Sequence, residues 1–136
     1  MKTINNMTLI DDDEVFVFLT KKAIERTHLV ELIRVFSNGL DAIDFLRENS
    51  NNVDALPEII LLDLSMPIMD GWQFLDQFSK LAPKIDKKII IYLCSSSISP
   101  NDIQLAKKNS LVTDYVIKPI TKEKLIELIK NMIEDM

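Results

Sequence analysis

Four places in the chain set a polar, chemistry-bearing side chain directly after a short apolar run. Asp11-Asp12-Asp13 follows Met7-Thr8-Leu9-Ile10, and Asp63 follows Ile59-Ile60-Leu61-Leu62. Ser95 follows the run from Ile89 to Cys94, and Lys118 follows Tyr115-Val116-Ile117. Carboxylates brought together repel, so a site holding Asp11, Asp12 and Asp63 needs a cation. An oxygen-only donor set without His or Cys suits a hard ion, Mg²⁺ or Mn²⁺. Such an ion, an ammonium (Lys118) and a hydroxyl (Ser95) are three ways of holding phosphoryl oxygens. An Asp can also be the nucleophile and form an acyl phosphate. The residue types together point to Asp-based phosphoryl transfer assisted by a divalent metal.

Elements far apart in sequence must then meet at one edge. Short β-type runs alternate with longer helical patterns. The strands are predicted at Met7–Ile10, Leu32–Phe36, Ile59–Leu62, Ile89–Leu93 and Asp114–Ile117. The unbroken apolar run at 59–62 suits a strand buried on both faces, as in a parallel sheet. A first helix follows the aspartates, with Val15, Phe16, Leu19, Ala23 and Ile24 at helical spacing, Asp13 as its cap and Glu14 in its first turn. A second, capped by Asn38 or Ser37, carries Leu40, Ile43, Leu46 and Phe45. A third runs from about Gly71 to Lys80. Ser99-Pro100-Asn101-Asp102 starts a fourth, with Ser as cap and Pro at the first helical position. Thr121 caps the last, whose Leu125, Leu128, Ile129, Met132 and Ile133 form an apolar stripe. Five βα units imply right-handed crossovers and a doubly wound α/β sheet. Ligands of such sheets bind beyond the carboxyl ends of the strands, where the polar residues above fall.

Composition narrows the classes. The 136 residues, 47% hydrophobic and 27% charged, fit one domain over 1–136. Gly39 and Gly71 are the only glycines, which excludes Gly-rich phosphate loops. A net charge of -5, with only short basic pairs, argues against direct nucleic-acid binding. One cysteine (Cys94) and one histidine (His28) leave no intrachain disulfide and no His/Cys zinc site. The longest apolar run is six residues, Ile89 to Cys94, against about 18 for a membrane span. The N-terminus lacks the apolar core of a signal peptide, so the expectation is a cytoplasmic protein without membrane insertion. Several eye-catching residues read as structural: Asp13 as a cap, Asp70-Gly71 as a turn and helix start, Cys94 as core, Trp72 as packing at the base of the third helix, and His28 as a surface or half-buried side chain.

The chain resembles the CheY-like receiver domain of two-component response regulators, of the stand-alone type. The matching pieces are Leu9-Ile10-Asp11-Asp12-Asp13, Leu61-Leu62-Asp63-Leu64-Ser65-Met66-Pro67-Ile68-Met69-Asp70-Gly71, Leu93-Cys94-Ser95-Ser96-Ser97 and Tyr115-Val116-Ile117-Lys118-Pro119. The resemblance implies a flavodoxin-like (βα)5 fold with strand order 2-1-3-4-5. It implies Asp63 as phosphoacceptor, with Asp12, Asp63 and the Ser65 backbone carbonyl as metal ligands and Asp11 acting through a metal-bound water. Lys118 would pair with the phosphoryl group, Ser95 would follow it, and Tyr115 would move inward behind Ser95. Pro119 matches the family's cis-proline, which aims the lysine.

Two departures stand out. Asn109 to Asp114 lacks the family's glycine and is one residue longer. Ser65 and Ser97, at positions that tune phosphoryl lifetime, carry no acid or amide, so they are not expected to assist hydrolysis strongly. The implied partners are a sensor histidine kinase and either a histidine phosphotransfer protein or a downstream effector, since no residues remain for an output domain. On this reading the protein is a signalling domain and not an enzyme. Two rivals are an Asp-nucleophile phosphatase, which typically adds an acid two residues after the nucleophile where this chain has Ser65, and a phosphorylation-independent adaptor.

Overall fold

The run Ile59-Ile60-Leu61-Leu62 is buried at every position, and the whole fold is arranged around it. A computed structural model describes residues 2–135. In chain order the elements are β1 (Ile4–Ile10), α1 (Glu14–Thr27), β2 (Val30–Phe36), α2 (Gly39–Glu48), β3 (Ile59–Leu62) and α3 (Gly71–Leu81). A short 3-10 turn, Ala82–Lys84, leads to β4 (Ile90–Ser95), α4 (Pro100–Lys108), β5 (Val112–Ile117) and α5 (Lys122–Glu134). The strands form one parallel sheet in the order β2-β1-β3-β4-β5.

Two cores lie on opposite faces of the sheet. On one side Ile10, Ile60, Leu62, Ile91 and Leu93 pack against α2, α3 and Ala106 of α4. On the other Met7, Leu9, Ile59, Leu61 and Tyr92 pack against Ile24 of α1 and Leu125, Leu128 and Ile129 of α5. Alternate side chains of each strand thus enter different cores, which is why the central strands read as unbroken apolar runs.

The structure extends several expected elements. β1 begins at Ile4 and not at Met7, because Ile4 pairs with Val30 and is fully buried. The polar Asn5-Asn6 hid this. Asn6 is buried with its side-chain amide donating to the Asp54 carbonyl at 2.6 Å, so its polarity is satisfied inside the strand. β2 likewise starts at Val30, and β5 starts at Val112. β4 runs on through Ser95, which makes Ser95 the end of a strand and not a loop residue. Ile91 pairs with Val112 and Tyr92 with Asp114, so Thr113 is left over as a bulge on an edge strand.

The apolar face of α1 is also turned. Val15 and Leu19 are 69% and 61% exposed, whereas Thr20 and Ile24 are buried. Five consecutive apolar residues, Val15 to Leu19, gave periodicity no face to choose.

At the amino end of the sheet a polar knot ties down the loop before β3. Lys87 Nζ donates to the carbonyls of Val53 and Leu56 at 2.8 and 2.6 Å and pairs with Glu58 Oε1 at 3.0 Å. Glu58 Oε2 accepts the Asn6 N–H at 2.7 Å.

Candidate functional site

Sheet register does most of the assembly. Ile10 lies opposite Leu62, so the residues that follow, Asp11 and Asp63, leave the sheet side by side. The hydrogen-bond ladder continues one rung past the strands. The Asp11 N–H donates to the Phe36 carbonyl at 2.9 Å, Asp63 N–H to Ile10 at 2.9 Å, and Lys118 N–H to Ser95 at 2.8 Å. The backbone at each of these residues is therefore held by the neighbouring strand. The Lys118–Pro119 peptide is cis.

The side chains converge. Asp11, Asp12 and Asp63 each offer a carboxylate oxygen within 4.8 Å of the others. Asp11 and Asp63 are buried and Asp12 is exposed. Lys118 Nζ lies 2.8 Å from Asp11 Oδ2 and 3.8 Å from Asp63 Oδ1. One ammonium against three carboxylates leaves the cluster negative, and its donors are all hard oxygens. This donor set fits a hard divalent cation. The Asp63 carboxyl is pushed up to about 6, first by burial and then by the charge of Asp11. Lys118 and the backbone N–H groups of Ser65 and Leu64 pull the other way. Burial alone would lower Lys118, but its hydrogen bond to Asp11 and the charges of Asp11 and Asp63 outweigh that and raise it.

Asp13 is a cap. Its Oδ1 accepts the N–H groups of Val15 and Phe16, both at 3.1 Å, and starts α1. Asp70 caps α3 in a reciprocal box with Gln73. Cys94 is buried, and burial pushes its thiol up to about 12, so it is protonated core and not a nucleophile.

Ser65, two residues beyond Asp63, is exposed at the mouth of the site. With Asp70, Trp72, Ser95, Ser97 and Asp102 it lines a cavity of about 390 Å³. Ser95 is buried, and its Oγ accepts the Ser97 N–H at 3.1 Å. The half-buried Tyr115 ring packs against the core, and its hydroxyl donates to the Ser97 carbonyl at 2.8 Å. The Ser97 hydroxyl donates to Asp102 Oδ2 at 2.7 Å and accepts the Ser99 N–H at 3.2 Å. Ser97 therefore joins Ser95, Tyr115 and the start of α4. Sequence reasoning missed that hub, and its one signal was a run of serines between a strand and a helix cap.

It also missed what Gly71 does. Gly71 has no left-handed backbone and sits in the first turn of α3, where Ala is ordinarily the better residue by about 1 kcal/mol. A Cβ there would clash with the Asp63 carbonyl oxygen and lie 2.8 Å from Leu64 Cα. The glycine lets α3 begin against the backbone that carries Asp63. Gly71→Ala is expected to lower stability by about 1–3 kcal/mol, because backbone cannot move aside as a side chain can. Urea unfolding measures this, and a gain in stability would contradict the close-approach role.

Comparison with known proteins agrees with this geometry. The model of the response regulator receiver domain matches residues 7–130. The solved two-component response regulator of Cytophaga hutchinsonii is 34% identical with a TM-score of 0.86, covering 98% of this chain and 99% of that one. The probable methanogenesis regulatory protein FilR2 of Methanothrix harundinacea is 30% identical over 93% of this chain and 79% of its own length. The chemotaxis protein CheY of Bacillus subtilis is 28% identical over 90% of this chain and 93% of its own. Other relatives are much longer: the chain spans 30% of a protein-glutamate methylesterase/protein-glutamine glutaminase of Burkholderia thailandensis. A matched family model over most of the chain, a shared strand order and the clustered aspartates agree: this chain belongs to the response regulator receiver domain family.

Proposed function

We propose that Asp63 accepts a phosphoryl group from the phosphohistidine of a sensor histidine kinase, and that the acyl phosphate alters the surface offered to partners. The observation that supports this best is the meeting of Asp63 with Asp11, Asp12 and Lys118 at the carboxyl edge of the sheet. An Asp63 oxygen attacks phosphorus, the bond from phosphorus to the donor's imidazole nitrogen breaks, and that nitrogen keeps the electron pair and takes a proton from solvent. Lys118 offsets the charge on the transferred oxygens.

Asp12, Asp63 and the Ser65 backbone carbonyl would hold Mg²⁺ or Mn²⁺. Asp11 would act through a metal-bound water, in keeping with both its oxygens having protein partners: Oδ2 faces Lys118 and Oδ1 accepts the Asp13 N–H at 2.9 Å. Such an ion supplies charge neutralisation at the phosphoryl oxygens.

Ser95 follows the new phosphoryl group, and the change passes through Ser97 to Tyr115 and to α4. Residues 1–136 act as one receiver unit that signals and is not itself an enzyme. Its partners are the kinase and either a histidine phosphotransfer protein or an effector protein, in the cytoplasm, without direct nucleic-acid contact. No helix among the described residues is long and apolar enough to cross a membrane.

The test is incubation with phosphoramidate or acetyl phosphate and Mg²⁺, followed by intact mass and peptide mapping. One phosphoryl on the Asp63 peptide supports the reading. Turnover of many phosphomonoesters would favour a phosphatase, and no adduct with any donor would leave an adaptor.

Mg²⁺ itself is expected to raise the melting temperature, by about 2.7 kcal/mol of stabilisation at a hundredfold excess over its dissociation constant. Protons compete with the metal for Asp63, so the rise should grow from pH 5 to pH 7. Calorimetry at the two pH values checks this; an equal rise at both would mean that Asp63 is not a ligand.

A further inference from the structure

We propose that Phe16 is a positioning residue for Lys118: its ring face holds the lysine ammonium at the place from which it meets an incoming phosphoryl group. The proposal rests on the phosphoacceptor reading above and adds a residue to it. Lys118 Nζ lies 4.3 Å from the centroid of the Phe16 ring, within the range of a cation–π contact. The lysine side chain is only 13% exposed, so the contact is shielded from water. Its other partners are Asp11 at 2.8 Å and Asp63 at 3.8 Å.

Those carboxylates have competing duties. A hard cation would draw on Asp11, Asp12 and Asp63, and phosphorylation would turn the Asp63 carboxylate into a mixed anhydride. Each event weakens the ion pairs that hold Lys118 in place. A ring face attracts an ammonium through its quadrupole but is a poor ligand for Mg²⁺, which takes oxygen donors. Phe16 therefore steadies the lysine without drawing on a metal ligand.

The ring is itself well placed. Phe16 is the third residue of α1, and its N–H is bound at 3.1 Å by the Asp13 carboxylate that starts the helix. Asp13, outside the carboxylate cluster, thus serves the site indirectly, by fixing the residue that fixes Lys118. Beside the ring, Leu19, Thr20, Ala23, Pro119 and Ile120 border a cavity of about 160 Å³ between α1 and the start of α5. A smaller side chain at position 16 would enlarge that space and loosen the lysine stem.

The experiment compares wild type, Phe16→Leu and Phe16→Tyr. Leu keeps an apolar side chain and removes the ring, whereas Tyr restores the ring. Phosphoryl uptake from phosphoramidate is followed by intact mass across a Mg²⁺ titration. Phe16→Leu should take up phosphoryl roughly three- to thirtyfold more slowly at saturating Mg²⁺, with the half-saturating Mg²⁺ concentration unchanged. Phe16→Tyr should recover most of the rate. By NMR the Lys118 ε-methylene protons should be shifted upfield by the ring in wild type and return to ordinary lysine positions in Phe16→Leu. A general loosening of α1 would move the Mg²⁺ midpoint as well and would count against the proposal. Ordinary lysine shifts in the wild type, or wild-type uptake by Phe16→Leu, would overturn the assignment of Phe16 while leaving Asp63 as acceptor. No uptake by the wild type would overturn the acceptor reading and this proposal with it.

Discussion

Asp63→Asn will take up no phosphoryl group from phosphoramidate, and without metal it will be more stable than the wild type at neutral pH. The first result follows from removing the nucleophile, since a carboxamide does not form an acyl phosphate under these conditions. The second follows from linkage. The folded carboxyl sits at about 6 against an ordinary 3.8, so the folded chain holds this proton more tightly than the unfolded one. The stabilisation from protonated Asp63 is complete below about pH 4 and is lost as pH rises through 6. A shift of about two units corresponds to roughly 3 kcal/mol at most. Asn mimics the protonated acid, so the variant should gain about 1–3 kcal/mol over the wild type at pH 7 and nothing near pH 4. Urea melts in EDTA at pH 4, 5.5 and 7 read this directly. If Asp63→Asn is the weaker protein at pH 7, Asp63 is held as a favourably paired carboxylate and the cluster is not strained by charge.

Lys87→Met will cause a large loss of stability although it lies at the far end of the sheet from the site. The side chains of Lys87 and Glu58 are 13% and 9% exposed. Removing the ammonium strips two backbone carbonyls of a donor and leaves Glu58 charged and buried, with the Asn6 N–H as its remaining partner. Breaking such a pair from one side costs about 3–5 kcal/mol, a large share of the roughly 5–15 kcal/mol available to an ordinary domain. Adding Glu58→Gln should recover part of the loss, because the orphaned charge is then gone. A double-mutant cycle by urea unfolding measures the coupling. A single-variant cost under about 1 kcal/mol would show that water reaches the pair.

The two predictions differ in how legible they were. Asp63 could be found from the chain because an Asp after an unbroken apolar run marks the carboxyl end of a buried parallel strand. The Glu58–Lys87 pair could not, since 28 residues, an entire helix among them, separate two ordinary charges. The same contrast runs through the fold. Thr121 and Ser99 announced their helices by local chemistry, as did Asp13, and all three cap as expected. The start of β1 was hidden, because the polarity of Asn6 is satisfied by Asp54 and Glu58, residues some fifty positions away. The face of α1 was hidden too, because Val15 to Leu19 offer apolar side chains on every side.

The amino-acid sequence alone determined the fold class, the five βα units and the identity of the clustered residues. It could do so because strand periodicity, capping and the crossover rule act locally or as general topology. The tertiary structure decided the rest: that register sets Asp11 beside Asp63, that Ser95 ends a strand, that Ser97 joins Ser95 and Tyr115 to α4, and that the Phe16 ring lies against Lys118. It also turned the scarcity of glycine into a positive statement. Gly71 is small because α3 must start against the carbonyl of Asp63. Contacts of this kind depend on distances between segments remote in sequence, and only the packed chain sets those distances.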